Sequence, residues 1–592
     1  MTGGARRVVR RTAPAADLAG LHPVLARVYA ARHVATTAEL DHSLERLLPP
    51  RLLKGMEAAV ALLVDAVRSG QRILIVADFD ADGASSCALA VRALHAMGAR
   101  DVRYVVPNRF EYGYGLTPEI VAVAAHQAPD VLVTVDNGIS SIDGVQAAKS
   151  RGLKVLITDH HLPAAELPPA DAIVNPNQPG DEFPSKHLAG VGVVFYVMLA
   201  LRARMRESGW FAQLNLPEPN LARLLDLVAL GTVADVVPLD HNNRILVAQG
   251  LKRINQSQAC PGVLALLQVA GRKPGQLTAG DLGFAAAPRL NAAGRLTDMS
   301  LGIECLLTDS ESRALEIAQE LDRLNRERRA IESGMQSQAL EAVNKLHLEE
   351  GRLPAGLCLF DQSWHQGVIG ILAARVRERV HRPVIAFAPA NETEIKGSAR
   401  SVPGLHIRDA LDAVAAHHPG LVTKFGGHAM AAGLSLPRTH FEKFQAAFAE
   451  EAARQLGEDD LHGELHSDGE LAAADFSLEL AQLLRTAGPW GQGFPEPVFD
   501  GEFEIVDRRV IADKHLKLFL RVPGRKTSVE AIAFRYLETG NLPTWPRVRA
   551  AFRLDVNEYQ GNRSLQLVIE HLEGIGAEQP VHLESADAIQ DS

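Results

Sequence analysis

The sequence predicts an α/β protein whose first large domain is built on a parallel sheet. Short β-branched apolar runs, of the kind that fill strands buried on both faces, alternate with helical periodicity between Ile73 and Thr158. Several of those runs end abruptly at aspartate. From Gly463 onward the rhythm changes to short strands separated by turns at Gly524, Gly540 and Gly561, which predicts a small β-barrel of the OB type. A chain of 592 residues with 47% hydrophobic content is too long for one core and divides into about three or four domains.

Composition excludes several classes. No apolar run approaches the ~18 residues needed to cross a bilayer, and the Arg-bearing N-terminus (Arg6, Arg7, Arg10, Arg11) leads into no signal-peptide core. The expectation is a cytoplasmic protein with no membrane partner. Cys87, Cys260, Cys305 and Cys358 are scattered without a CxxC pair, which excludes a zinc ribbon and gives no disulfide framework. A net charge of −10 argues against coating nucleic acid with the whole surface and leaves room for a local basic groove.

In chain order, residues 1–50 carry helical periodicity up to a stop at Pro49 and Pro50 and read as an N-terminal extension. Leu52–Ser69 is an amphipathic helix. Strands are expected at Ile73–Ala77, Val102–Val106, Val131–Val135 and Val155–Thr158, and in such sheets ligands gather beyond the carboxyl ends. The first strand runs into ILIVADFDADGASSC, with Asp78, Asp80 and Asp82 in alternation. An extended backbone would turn all three carboxylates to one side. Without Lys or Arg between them they repel, so either their pKa values rise or a divalent cation sits among them. The competing readings are a turn before a helix over Ala84–Ala96 and a calcium loop. The calcium loop fails, because Leu89 stands where the bidentate Glu belongs and a strand precedes the loop.

The later strand ends repeat the theme with Asp136-Asn137-Gly138 and Asp159-His160-His161. Each alone is ordinary, a turn or a hydrogen-bonded histidine. Together they deliver oxygen and nitrogen ligands to one sheet edge, and the added imidazole tilts the choice between Mg²⁺ and Mn²⁺ toward Mn²⁺. A helix from about Leu221, expected to break near Gly231, presents Asp235 before Pro238 as a further ligand or a helix cap. PRLNAAGRL then places Arg289, Asn291 and Arg295 at a Gly-containing bend, where arginines bind phosphate or solvate a loop.

The ordered set DFDADG, DNG, DHH and GTVADVVPL resembles the four motifs of the DHH phosphoesterases. PRLNAAGR and GGHAMAAG (Gly426–Gly433) resemble those of the bacterial members specific for single-stranded DNA, and the likeness extends over roughly Leu52 to Glu570. The resemblance implies two metal ions held by Asp80, Asp82, Asp136, His160 and Asp235, with Asp159 behind them. Many relatives have a histidine where this chain has Val76, and Asp78 on the same loop is its expected replacement. The resemblance also implies catalytic roles for Asp136, Asp159 and His161, the last binding the scissile phosphate or donating a proton.

Asp309–Glu349 is a charged segment with Leu321 and Leu324 on its apolar stripe, expected as a helix joining two domains. From Leu357 a second α/β unit follows, which the resemblance identifies as the DHH-associated domain, closing over the metal domain to form a cleft. There Gly426, Gly427 and His428, with His365, Ser398, Arg400 and Ser401, are expected to hold the nucleotide being removed. Between Asp507 and Arg553 eleven Lys and Arg face four Asp and Glu. Phe519, Phe534, Tyr536 and Trp545 are interleaved with them, mostly as expected barrel core, and a basic barrel is how single strands are commonly held. The tail 571–592 is acidic and expected to be disordered.

The domain boundaries read from sequence are thus 1–50, 51–308, 309–350, 351–462, 463–570 and 571–592. The reading is a metal-dependent, single-stranded-DNA-specific exonuclease that releases mononucleotides, with 5′→3′ polarity implied by the resemblance alone. Repair and recombination, a single-stranded-DNA-binding protein and a helicase as partners, and a monomeric state follow from the same source. The alternatives are a phosphatase of short oligonucleotides or phosphoadenosine phosphate, and a non-catalytic binding relative.

Overall fold

The computed structural model describes residues 7–107, 115–350, 353–457, 459–538, 542, 545–559 and 562–575. The chain divides into two compact units, one of 36–330 with 487–495, the other of 1–35, 331–486 and 496–592. Among the described residues no helix is long and apolar enough to cross a membrane.

In the first unit, strands β1 (Arg72–Ala77), β2 (Asp101–Val105), β3 (Val131–Val135), β4 (Lys154–Thr158) and β5 (Ala172–Val174) form a sheet in the order β2-β1-β3-β4-β5. Every neighbouring pair is parallel. β1, β3 and β4 are buried along nearly their whole length, which explains their unbroken Ile, Leu and Val. β5 was absent from the sequence reading, because three residues are too few to show a period. The strand order reverses between β1 and β3, and that reversal opens a crevice at their carboxyl ends.

Helix α1 covers Ala81–Ala96, three residues earlier than expected. The chain is therefore not extended through the three aspartates: Asp78 follows directly on the strand, Asp80 caps the helix and Asp82 lies in its first turn. Helix α2 (Gly190–Glu207) and helix α3 (Leu225–Ala234) pack with α1. α3 does not break at Gly231 and ends only after Ala234, where Asp235 closes it. The expected bend at PRLNAAGRL is instead helix α4 (Ala287–Leu296), entered through a π-helical turn at Leu282–Ala286. Helix α5 (Glu311–Glu350) is continuous over 40 residues. Leu321 and Leu324 are buried on it, and Arg323 pairs with Glu320 and Glu327.

In the second unit, β6 (Leu357–Phe360), β7 (Val384–Pro389), β8 (Glu394–Arg400), β9 (Lys424–Gly427) and β10 (Ala431–Pro437) form a sheet ordered β9-β10-β8-β7-β6. Only β6 and β7 run parallel; the other neighbours are antiparallel. β11 (Phe499–Ile511), β12 (His515–Arg521), β13 (Ser528–Ala533), β14 (Arg547–Tyr559) and β15 (Asn562–Ile575) close into a barrel ordered β11-β12-β13-β15-β14. Its core is Phe499, Phe503 and Phe552, capped by Phe476. Of the aromatics expected there, Phe534 is 58% exposed. Phe519 is half-buried between Arg509 and Lys517, 5.1 and 5.4 Å from its ring centroid. β15 continues to Ile575, into the expected tail; residues 576–592, Gly540 and Gly561 lie outside the described residues.

Residues 7–35 are not a separate extension. Arg7–Arg10 forms a strand parallel to Glu464–Ser467, and Arg32 places both terminal nitrogens on Asp468, at 2.8 and 3.0 Å, with both side chains buried. The partner strand lies more than 450 residues away, so no local pattern could announce it. Removing one member of a buried bidentate pair leaves an uncompensated charge, so Arg32→Ala is expected to lower unfolding free energy by about 3–5 kcal/mol. Chemical denaturation checks this, and a loss below about 1 kcal/mol would place the pair among ordinary surface bridges.

Candidate metal centre

The centre is assembled where β1, β3 and β4 end. Asp80 uses one oxygen to cap α1, accepting from the backbone N–H of Asp82 and Gly83 at 2.9 and 3.0 Å. Asp82 is fully buried and accepts from the N–H of Gly190 and Val191, at 2.6 and 3.0 Å, at the start of α2. Two glycines allow the loop to close. A Cβ at Gly83 would lie 2.5 Å from the Asp78 carbonyl oxygen, and one at Gly294 would lie 1.9 Å from that of Phe79. From α4, Asn291 accepts the Ala81 N–H at 2.8 Å.

Asp136 follows β3 in the left-handed region, with φ 63°, and is buried. Its neighbour Asn137 donates to the carbonyls of Val76 and Val135, tying the ends of β1 and β3 together. A Cβ at Gly190 would stand 2.6 Å from Oδ1 of Asp136. After β4, Asp159 accepts from the N–H of Ile139, His160 and His161 and sits 2.8 Å from Nδ1 of His161. Asn177 and Asn175 hold the carbonyls of the two histidines. Nε2 of His160 then lies 3.2 Å from Oδ1 of Asp136 and 3.3 Å from Oδ2 of Asp235.

Three groups of ligand atoms, each within 4.8 Å, result: Asp78 with Asp80 and Asp136; Asp82 with His160 and Asp235; Asp136 with His160 and His161. Asp136 and His160 each belong to two. Burial, then neighbouring carboxylates, raises the pKa of Asp136 and Asp235 well above the usual range. Burial and Asp80 lift Asp82 to about 7 against the opposing N–H donors. This demand for positive charge, from hard oxygen donors and one imidazole, fits divalent cations such as Mg²⁺ or Mn²⁺.

His161 behaves differently. Burial would lower its pKa, but its bond to Asp159 and the charges of Asp159, Asp235 and Asp78 prevail and raise it to about 9. For Asp159, burial would raise the pKa, and His161 together with the Ile139 N–H overcomes it and holds the carboxylate ionised. Asp159 is thus bound up in hydrogen bonds and orients His161.

The other expected residues separate into two kinds. Arg289 is committed: its guanidinium pairs with Asp322 at 2.7 Å and donates to the Ala285 carbonyl, so it braces α4 against α5 and is not presented to phosphate. Asn291 positions the Ala81 N–H, and Arg295 sits in the last turn of α4. In the second unit, Ser401 is buried and donates to the Leu405 carbonyl, so it shapes a turn. Ser398 and Arg400 remain together, 3.2 Å apart, beside Gly370 in the first turn of the helix Ile369–Val380. Burial and Arg377 lower the pKa of Arg400. Gly426 and Gly427 are strand residues of β9, in which Gly426 pairs with Gly433, and Gly433 with Ser398. A Cβ on Gly426 or Gly433 would meet nothing within 4 Å, so the sheet is bare on that side. His428 donates its N–H to Ala431 at the hairpin turn, and Nδ1 of His365 accepts from Gly367.

Sequence reasoning missed Asn175, Asn177 and Gly190, and took Asn137 only as part of a turn and Gly231 only as a helix break; a Cβ at Gly231 would fall 2.6 Å from Oδ1 of Asp82. Their only signal was a polar or glycine residue beside an apolar run.

Comparison with known proteins agrees in order. The DHH family N-terminal domain model matches residues 72–232, the DHHA1 domain model 354–454 and the RecJ OB domain model 467–571. The chain is 54% identical to the single-stranded-DNA-specific exonuclease RecJ of Dickeya dadantii, covering 93% of this chain and 96% of that protein. It is 52% identical to the Escherichia coli protein of the same description, covering 96% and 98%. The crystal structure of Thermus thermophilus RecJ in complex with Mn²⁺ superposes with a TM-score of 0.77 at 31% identity, covering 94% of this chain and 77% of that one.

The raised Asp82 pKa has a measurable consequence. Between the ordinary value of 3.8 and about 7, unfolded Asp82 is ionised while the folded residue keeps its proton. The unfolded state then binds fewer protons, and Asp82 costs stability increasingly as pH rises across that window. In metal-free protein, Asp82→Asn is expected to gain melting temperature relative to the parent as pH rises from about 4 to about 7. A difference that is flat with pH would contradict the shift.

Proposed function

The chain belongs to the RecJ family of single-stranded-DNA-specific exonucleases, and from that premise we propose that it degrades single-stranded DNA from the 5′ end to mononucleotides by two-metal hydrolysis. The observation that carries the proposal is the sharing of Asp136 and His160 between ligand groups at the sheet's switch point. Asp78, Asp80, Asp82, Asp136, His160 and Asp235 would hold two divalent cations, Mn²⁺ or Mg²⁺. Once bound, such ions supply Lewis acidity and a nucleophilic hydroxide at neutral pH.

The chain's own groups do the rest. Asp136 lies between the groups and suits a bridging role. His161, oriented by its 2.8 Å contact with Asp159, whose hydrogen bond and charge favour the protonated imidazole, brings positive charge toward the scissile phosphate or a proton toward the departing oxygen. Arg400 and Ser398, beside a helix N-terminus and a bare strip of glycines, suit a nucleotide phosphate. On the barrel, Phe519 flanked by Arg509 and Lys517 suits a stacked base and its phosphate.

The barrel is less basic than the window 507–553 suggests. Across Phe499–Ile575 there are twelve Lys and Arg against eleven Asp and Glu. Arg521 pairs with Glu504, Arg547 and Arg549 with Glu502, and Arg553 with Glu570. Arg509 and Lys517 are paired as well, with Asp507 and Glu530, so capture of the strand rests on their placement beside Phe519 and not on an excess of charge. Repair and recombination, with a single-stranded-DNA-binding protein and a helicase as partners, belong to the same proposal.

Digestion of a long single strand labelled at one end or the other, with Mn²⁺, Mg²⁺ or neither, tests the reading. The 5′ label is expected to appear first as mononucleotide, only with metal. Internal cuts, or early release of the 3′ label, would overturn it. His160→Ala should lose Mn²⁺ binding, whereas His161→Ala should keep it and lose at least about 10²-fold in turnover.

A further inference from the structure

The segment Ala487–Pro495, sequence AGPWGQGFP, leaves the unit that contains its chain neighbours and belongs to the unit of the metal centre. Both its ends continue into the other unit, at Thr486 and Glu496. It folds on itself through reciprocal hydrogen bonds between Gly491 and Phe494, at 2.9 and 3.1 Å, and stacks Trp490 on Phe494. What it grips is the loop just after Asp235. The Leu239 N–H donates to the Gln492 carbonyl at 2.7 Å. A Cβ at Gly491 would lie 2.7 Å from Cδ1 of Leu239, and one at Gly493, where φ is +70°, would lie 3.1 Å from Cβ of Pro238. Arg244 completes the clamp, stacking 4.2 Å from the Phe494 ring centroid while donating to the Leu239 carbonyl at 2.9 Å.

The gripped loop is strained next to the ligand. Val236, one residue after Asp235, has φ 61°, and 62% of it is exposed. A β-branched residue in the left-handed region costs about 1–2 kcal/mol, and an exposed side chain offers no packing to hold it there. Such a conformation persists only when the surroundings dictate it. On one side α3 fixes the chain through the Asp235 N–H to the Gly231 carbonyl at 2.9 Å, and on the other the clamp fixes Pro238 and Leu239. If the clamp yields, Val236 relaxes, and the backbone rotation falls on Asp235.

We infer that Ala487–Pro495 is a positioning strap for the metal centre: by holding Pro238 and Leu239 it maintains the left-handed turn at Val236 and so aims the Asp235 carboxylate at His160 and Asp82. The inference rests on the reading of Asp235 as a metal ligand.

The test is Gly491→Ala in the full chain, with Leu239→Ala added to remove the atoms its new methyl would meet. Loss of a group that orients a ligand commonly costs 10–100-fold in metal affinity, so Gly491→Ala is expected to weaken Mn²⁺ binding by about tenfold in calorimetry and raise the Mn²⁺ concentration for half-maximal activity similarly. KM for single-stranded DNA and the melting temperature of the metal-free protein should stay close to the parent, and the added Leu239→Ala should recover part of the lost Mn²⁺ affinity. Gly493→Ala, read in the same way, serves where Gly491→Ala does not fold. Unchanged Mn²⁺ affinity in the folded glycine variants overturns the strap, provided Asp235→Ala does weaken Mn²⁺ binding. If Asp235→Ala binds Mn²⁺ as the parent does, the ligand reading fails instead.

Discussion

Asp82, Asp136 and Asp235 come from three elements and lie, with Asp78 and Asp80, in a pocket where burial and mutual repulsion oppose their ionisation. Opposition of that kind can be resolved by retaining protons or by admitting cations. The surrounding structure is arranged so that the groups cannot resolve it by moving apart. Glycine at 83, 190, 231 and 294 lets backbone and carboxylates approach more closely than any Cβ would permit. Backbone N–H groups of Gly190 and Val191 fix Asp82 in a single orientation. Asn137 ties the two strand ends from which Asp78 and Asp136 emerge. The fold thereby maintains a concentrated negative site whose natural counterion is divalent.

The position of that site follows from topology. A parallel sheet ordered β2-β1-β3-β4-β5 leaves a crevice where β1 and β3 send their connections to opposite sides, and the motif aspartates are the residues that follow those strands. His160, after β4, and Asp235, at the end of α3, complete the clusters of candidate ligand atoms. Asp159 is hydrogen-bonded to His161, whereas His160 faces Asp136 and Asp235, so two adjacent histidines have different partners.

What the sequence disclosed and what it hid divide on physical lines. Buried parallel strands advertise themselves as β-branched runs, and an aspartate at the end of such a run is conspicuous, so β1, β3, β4 and the acids and histidines that cluster at their ends were legible. The direction of the chain after Asp78 was not, because Asp80 reads equally as an extended residue or a cap, and the cap prevails through its bonds to Asp82 and Gly83. Arg289 looked like a phosphate ligand only because Asp322, its partner, is 33 residues away on another helix. The positive excess between 507 and 553 arose from a window that cut across hairpins and left out Glu502, Glu504 and Glu570. The strand Arg7–Arg10 and the strap at 487–495 were invisible for the same reason: their meaning lies wholly in distant partners.

Asp136, common to two groups of candidate ligand atoms, is proposed to join two cation sites into one centre. Calorimetric titration of Mn²⁺ into the metal-free chain and into Asp136→Ala tests it most directly, with circular dichroism to confirm that the variant is folded. Two Mn²⁺ ions are expected per parent chain, and for the variant at most one, bound at least about tenfold more weakly. An Asp136→Ala protein that binds two Mn²⁺ ions with the parent's affinity would contradict it.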